Sequence, residues 1–358
     1  MNTVDLHFLL PFSVPAAAHL PILLDGLKLP TFERLLARST RSRTDIPVDP
    51  FISTLPHERW LGRIFGIPTL PAHMPLAPFM LIADTNNNLD DNHFWYCAQP
   101  AHIQINTDHL VLTDPSELAL ETIDTIPLFE IARDLFAEHD VKLVSPRPDR
   151  WYLSGPMLDG LVTASPERVA GRNIDIWLPK GNADLIWRKL QNEVQMAWHH
   201  HSTNHDREIR ELPPINTLWL YGGGKCIEAE RLNRPFKTIL SDTPVTHGLA
   251  IHLSIDRFST DAGLSAARGC TLIQLDILNA HFISGNWTRW RDSLSEIESK
   301  WLAPALAMMN NGQVREITLT LCGDIHSVTL RVRTSNLCKF WRRQPLINQL
   351  LLLAKLGE

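Results

Sequence analysis

A chain of 358 residues, 44% hydrophobic and 20% charged, is long enough for two ordinary domains or for one large α/β domain with an inserted lobe, and this make-up excludes a disordered or fibrous protein. A formal charge of −5 offers no whole-chain basic field for nucleic acid, and no window approaches the roughly 18 apolar residues that span a bilayer. Five cysteines without a CxxC pair read as reduced thiols of a cytoplasmic protein, not as disulfides or metal ligands.

In chain order, VDLHFLL at 4–10 predicts a buried strand ended by Pro11. Asp5 and His7 precede its apolar core with no basic flank, so the start does not read as a signal peptide. TFERLLAR at 31–38 has helical spacing behind an N-cap at Thr31, and the basic STRSRTD after it reads as a loop. PHERWLGRIF at 56–65 predicts a second helix, followed by a proline-rich loop region and the polar tip DTNNNLDD. A strand pair is expected within 101–113, turning at Asn106–Thr107–Asp108, then a long helix or helix pair over 115–138 and a strand at 141–145.

RWYLSG at 150–155 predicts a strand, and 182–200 a strongly amphipathic helix. The most distinctive stretch follows: HSTNHDREIRELPPINTLWLYGGG at 201–224. It reads as a helix end, a polar loop carrying Asn204 and Arg207, a strand opened by Asn216, and a closing turn of Gly222, Gly223 and Gly224. A strand running into such a turn lets backbone N–H groups approach an anion closely. Further strands are expected at 269–277, 315–321 and 327–333, a helix over 287–309 that Pro304 kinks, and a basic then apolar C-terminal helix, KFWRRQPLINQLLLLAKL. Strands alternating with helices favour a mostly parallel sheet between helical layers.

Taken in order, the pieces resemble the cofactor-independent phosphoglycerate mutases of the archaeal type, in the alkaline phosphatase superfamily. The 201–224 stretch is similar to that family's "HPVNxxRxxxGxxPANxxWLWGxG". LKLPTFERLLARS resembles its "TPNLDRLA" helix, RPDRWYLSGPMLDGLVTASPERVAGRN its Arg-bearing strand and serine-rich turn, and LIQLDILNAHFISGNWTRWRDSLSEIESKWLAPAL its late strand, metal loop and helix. The whole pattern looks closest to bacterial regulatory proteins of the RpfE type. The resemblance implies a three-layer α/β/α sandwich with an inserted α+β lobe: 1–65 and 151–358 forming the core, 66–150 the lobe.

It also implies two divalent metals activating a serine or threonine. The implied ligand positions read otherwise in this chain. The Asp-Gly that should close the first strand is Leu10–Pro11; the late Asp and His fall on Asn279 and Ile283; an Asp-His pair falls on Gly323–Asp324, and the last His on Arg333. Isoleucine has no donor atom, and asparagine brings no charge to offset two cations. The expectation is therefore a catalytically degenerate protein without a cofactor, acting by binding or regulation. Its anion-site candidates are Asn204, Arg207, Asn216, Gly222, Gly223, Gly224 and Arg150, although Asp149 beside Arg150 weakens a phosphate role.

Two alternatives stay open. One is a metal-dependent phosphoryl-transfer enzyme with a rearranged cluster of Asp276, His281, Asp324 and His326; Ser13 after the first strand is positioned as a displaced nucleophile, but the carboxylate that would hold its metal is absent. The other is a nucleic-acid-linked interaction protein using Lys339, Phe340, Trp341, Arg342 and Arg343 with Arg41 and Arg43, against which the acidic net charge argues. His199, His200, His201, His205 and Asp206 read first as a helix-end cap, and the partners expected are a phosphorylated small molecule and a protein or second copy, with no membrane.

Overall fold

The structure, a computed structural model, describes residues 3–47, 49, 51–68, 74–89, 93–106 and 109–357. Its strands in chain order are β1 Val4–Leu10, β2 Thr40–Asp45, β3 Phe94–Ala101, β4 Ile103–Ile105, β5 Leu110–Leu112, β6 Lys142–Arg147, β7 Arg150–Ser154, β8 Thr217–Lys225, β9 Thr238–Leu240, β10 Asp256–Phe258, β11 Cys270–Gln274, β12 Val314–Cys322 and β13 Ser327–Arg333. Thr107 and Asp108 of the expected turn, and Asp90 and Asp91 of the polar tip, lie outside the described residues.

Contacts divide the chain into two units, Met1–Ile67 with Leu232–Glu358, and Pro68–Arg231. The boundary expected at 150 is displaced to 231 by strand pairing: β7 pairs with β3 and β6, and β8 pairs with β3, so 151–231 belongs with the lobe.

The first unit holds a seven-stranded sheet in the order β10-β9-β11-β1-β12-β13-β2. From β10 to β12 every pairing is parallel, and β13 and β2 add antiparallel pairs at one edge. The few residues between β12 and β13 permit only a hairpin, which is why the direction reverses there. On β1, Leu6, Phe8 and Leu10 enter a core with Trp290, Leu294, Leu319 and Leu350. Between them His7 points to the opposite face, its ring 4.7 Å from that of Trp60 on the Pro56–Phe65 helix. Helices thus cover both faces, as a central parallel sheet requires.

Several local expectations change. The Pro30–Arg38 helix is not capped by Thr31. Its Thr31 and Phe32 N–H groups instead donate to the two carboxylate oxygens of Glu298 at 2.6 and 2.9 Å, a charged cap from far along the chain. Glu298 opens a π turn, Glu298–Leu302, that joins the Trp287–Ile297 and Ala303–Asn310 helices; the Ala303 N–H reaches back to the Glu298 carbonyl just before Pro304, which cannot donate. STRSRTD is the edge strand β2, because β13 provides it with a partner. Within the proline-rich region, Leu76–Thr85 is a buried helix. The basic KFWRRQ segment is irregular, and the C-terminal helix is Leu346–Ala354 alone.

In the second unit β6-β7-β3-β8 form an antiparallel sheet. The Thr122–Ala137 and Asp184–His199 helices cover one face over a core rich in tryptophan (Trp151, Trp187, Trp198). No described helix is long and apolar enough to cross a membrane.

Burial and then the Arg331 and Arg63 guanidiniums push His7 down to about 3, while its Nε2 lies 2.8 Å from the Thr320 hydroxyl. Unfolding releases it to its ordinary value, so the unfolded chain binds the extra proton as pH falls. The contribution is complete above about pH 6.5 and lost progressively toward pH 3, reaching about 2 kcal/mol at about pH 5. Urea unfolding of wild type and His7→Gln across that window is expected to show a shallower pH dependence in the variant; identical slopes would contradict the assignment.

Candidate functional site

In open parallel sheets, ligands gather at the carboxyl ends of the strands. Here the end of β1 is filled with aromatic side chains. After Leu10 and Pro11, Phe12 adopts φ 51°, a backbone region costly for a bulky residue, and its ring is 1% exposed. That ring lies 4.9 Å from Phe282 and 5.9 Å from His57. Trp287 packs edge-on to Phe282 at 5.6 Å, and the Trp290 indole N–H donates to the Phe12 carbonyl at 3.0 Å. Burial and the nearby Arg59 push His57 down to about 3, so it faces this cluster as a neutral ring. Ser13 is fully buried, and its hydroxyl donates to the Leu10 carbonyl at 2.8 Å; it is a turn hydroxyl, not a displaced nucleophile.

Beside the aromatic cluster, β9 and β11 end in hydroxyl and carboxyl groups. Gln274 donates to Asp276 Oδ1 at 3.0 Å and accepts from the Thr246 hydroxyl at 2.6 Å, and the Thr243 hydroxyl donates to Asp276 Oδ2. Thr243 and Thr246 lie at the start of the Pro244–His252 helix. Burial raises the Asp276 carboxyl, opposed by the bonds from Thr243 and Gln274 and reinforced by nearby Asp242. Sequence reasoning named Asp276 but missed Thr243, Thr246 and Gln274. Their signal was available: polar residues directly after the buried TIL and within LIQ, where strands of a parallel sheet end.

The donor set implied by resemblance does not fit two metal ions. Leu10 and Pro11 have no ligating side chain, Asn279 and Gly323 bring no charge, and Ile283 and Arg333 cannot ligate a cation. The rearranged cluster does not assemble either. Among the described residues no three His, Cys, Asp or Glu side chains are grouped to hold a metal ion. Asp276 follows β11 and Asp324 follows β12, with β1 between them. Both Asp276 oxygens already accept from neighbouring side chains, Thr243 and Gln274. His281 sits on the separate Asn279–Ile283 helix. His326 is buried against Gly323 and the chain's last turn, close enough that a side chain at Gly357 would overlap its ring.

The anion candidates lie in the second unit, and their polar groups are committed internally. Asn204 and Arg207 are on a helix, Ser202–Ile209, and not in a loop. Fully buried, Arg207 donates to Asp124 Oδ2 and the Leu118 carbonyl, both at 2.5 Å, and to the Pro213 carbonyl at 2.9 Å. Asn204 bonds the Trp198 carbonyl and both backbone groups of Ile215, and Asn216 bonds both backbone groups of Ile103. Arg150 is held bidentately by Asp84 at 2.8 and 3.0 Å, with Tyr152 donating to the same carboxylate.

Gly222, Gly223 and Gly224 do not form a turn; they lie inside β8. A Cβ at Gly223 would stand 2.0 Å from the Tyr96 ring and one at Gly224 2.3 Å from Pro75, so the glycines admit neighbours, not a ligand. His201 Nδ1 accepts from the Thr203 N–H and caps the start of the Ser202–Ile209 helix, so the run expected to end one helix also opens the next.

No family model matches the chain. Over 196 residues, 49% of this chain, it is 21% identical to a probable 2,3-bisphosphoglycerate-independent phosphoglycerate mutase of Geobacter sulfurreducens. That match covers 48% of the relative, so the chain spans about half the length of the curated protein it matches. Among solved structures, the PH0037 protein of Pyrococcus horikoshii shares the fold at a TM-score of 0.52 and 14% identity, covering 93% of this chain and 88% of that one. The cofactor-independent phosphoglycerate mutase of Thermoplasma acidophilum is similar at a TM-score of 0.45 and 16% identity over 98% of this chain and 95% of its own. The fold is thus α/β with a mostly parallel central sheet, shared with the PH0037 protein.

Two substitutions separate packing from ligand binding in the 201–224 stretch. Gly223→Ala and Arg207→Ala are each expected to lower unfolding free energy by about 3 kcal/mol, through overlap with Tyr96 and through a buried Asp124 left short of charge compensation. Urea unfolding reads both. Wild-type stability in either variant would reopen a ligand role for that residue.

Proposed function

We propose that this chain is a mutase-like protein that no longer turns over and acts by binding, in a regulatory role of the RpfE type. The observation that carries the reading is the carboxyl end of β1, where Phe12, Phe282 and Trp290 pack in the place the resemblance assigns to metal-bound chemistry. An aromatic cluster excludes water and charge, whereas phosphoryl transfer between metals needs carboxylates and an exposed nucleophile. The polar groups that remain, Thr243, Thr246, Gln274 and Asp276, satisfy one another. They include no guanidinium or ammonium, and Asp242 beside them adds a further carboxylate, so a phosphorylated ligand is disfavoured at this end of the sheet.

The reading is tested on the full chain with phosphoglycerate and a chromogenic phosphate ester, with and without added Mn²⁺ or Mg²⁺. The expected outcome is no turnover and no calorimetric binding of Mn²⁺. Stoichiometric metal together with activity that disappears in Asp276→Ala or Asp324→Ala would overturn it.

A further inference from the structure

The first unit carries a basic and aromatic surface that the mutase-like reading leaves unused. Arg34 and Arg38 lie one turn apart on the Pro30–Arg38 helix, and the Arg38 guanidinium donates to the Leu337 carbonyl at 2.6 Å. That bond sets the helix beside the irregular segment after Leu337. There the Arg343 Nε–H donates to the Phe340 carbonyl at 3.3 Å, and Phe340 and Trp341 pack edge to face at 5.3 Å. Both rings face solvent, 65% and 67% exposed, and neither belongs to the core.

The Leu346 N–H also donates to Glu33 on the Pro30–Arg38 helix at 3.0 Å, so the segment carrying Arg343 is tied at both ends to the helix carrying Arg34 and Arg38. Among the described residues none of the three forms an ion pair with a carboxylate. Exposed like charges repel weakly through water, and an anionic partner relieves that repulsion. On the net charge of −5 this surface is a local exception.

We infer that this surface binds single-stranded nucleic acid, the arginines holding phosphates and Phe340 and Trp341 stacking on bases. The chemistry of both groups favours that partner. Guanidinium is planar, weakly hydrated and matched to phosphate, and sequence-tolerant base stacking uses exposed aromatic faces set among such cations. A membrane surface fits less well, because the aromatics are not on an amphipathic helix, and the neighbouring Leu346–Ala354 helix turns its apolar face into the core. An acidic peptide would use the charges but leave both rings without a stacking partner. The inference does not rest on the mutase-like reading, and the two can fail separately.

The test is fluorescence anisotropy of a labelled oligothymidylate of about 20 nucleotides with the full chain, between about 50 and about 200 mM salt. Binding is expected to weaken steeply with salt, to fall about tenfold in Trp341→Ala and to be lost in Arg34→Glu with Arg343→Glu. Arg188→Glu with Lys189→Glu, on the exposed side of the Asp184–His199 helix, removes the same charge elsewhere and is expected to leave binding within about twofold. No binding at the lower salt, equal loss in that control pair, or a Trp341→Ala chain that binds as wild type would each overturn the inference. So would polyglutamate or phosphatidylserine vesicles binding with the same dependence on Trp341 while the oligonucleotide does not.

Discussion

What closes the carboxyl end of β1 governs the rest of this molecule. A central parallel strand is buried on both faces, so its end is the one place where the sheet can expose backbone and polar side chains to a ligand. Here Phe12 turns back with a positive φ and lays its ring against Phe282 and His57, and Trp290 binds its carbonyl. Strained backbone persists only where surrounding packing over-determines it, and this packing does. The aromatic closure also accounts for the state of the flanking groups. His57 is held neutral, Ser13 turns its hydroxyl onto its own backbone, and the remaining hydroxyls and carboxyls pair with one another.

The second unit has the same character. A row of residues suited to anion binding by type is instead spent on internal order. Arg207 fixes Asp124 and two carbonyls, Arg150 fixes Asp84, and two asparagines tie the ends of strands together. Buried guanidinium and amide groups must find partners, and here all three nitrogens of each arginine donate to protein oxygens. The glycines follow from packing as well: β8 passes so close to Tyr96, Leu76 and Pro75 that no side chain fits.

Elsewhere the same residue types are exposed. Arg34, Arg343, Phe340 and Trp341 are set at the surface by one backbone bond from Arg38, with charge and rings directed outward. The contrast between buried, ion-paired arginines and exposed ones distinguishes a structural role from an available one, and residue type alone does not show it.

The sequence by itself determined the elements whose apolar period is strong: β1, the Pro56–Phe65 and Asp184–His199 helices, the β12–β13 hairpin and the α/β class. Period works there because each such segment buries one face whatever its partner. It also showed that the positions the resemblance assigns to metal ligands read Leu10, Pro11, Ile283 and Arg333, side chains that cannot ligate a cation, which needs no geometry to be recognised. Only the tertiary structure decided the rest. STRSRTD became a strand because β13 offered an unpaired edge, the cap of the Pro30–Arg38 helix came from Glu298 far along the chain, and strand pairing moved the unit boundary to 231. Whether Arg207 was a ligand group or a brace depended on Asp124, 83 residues away. Hydrogen-bond saturation is a property of neighbours in space, and the order of residues along the chain does not contain it.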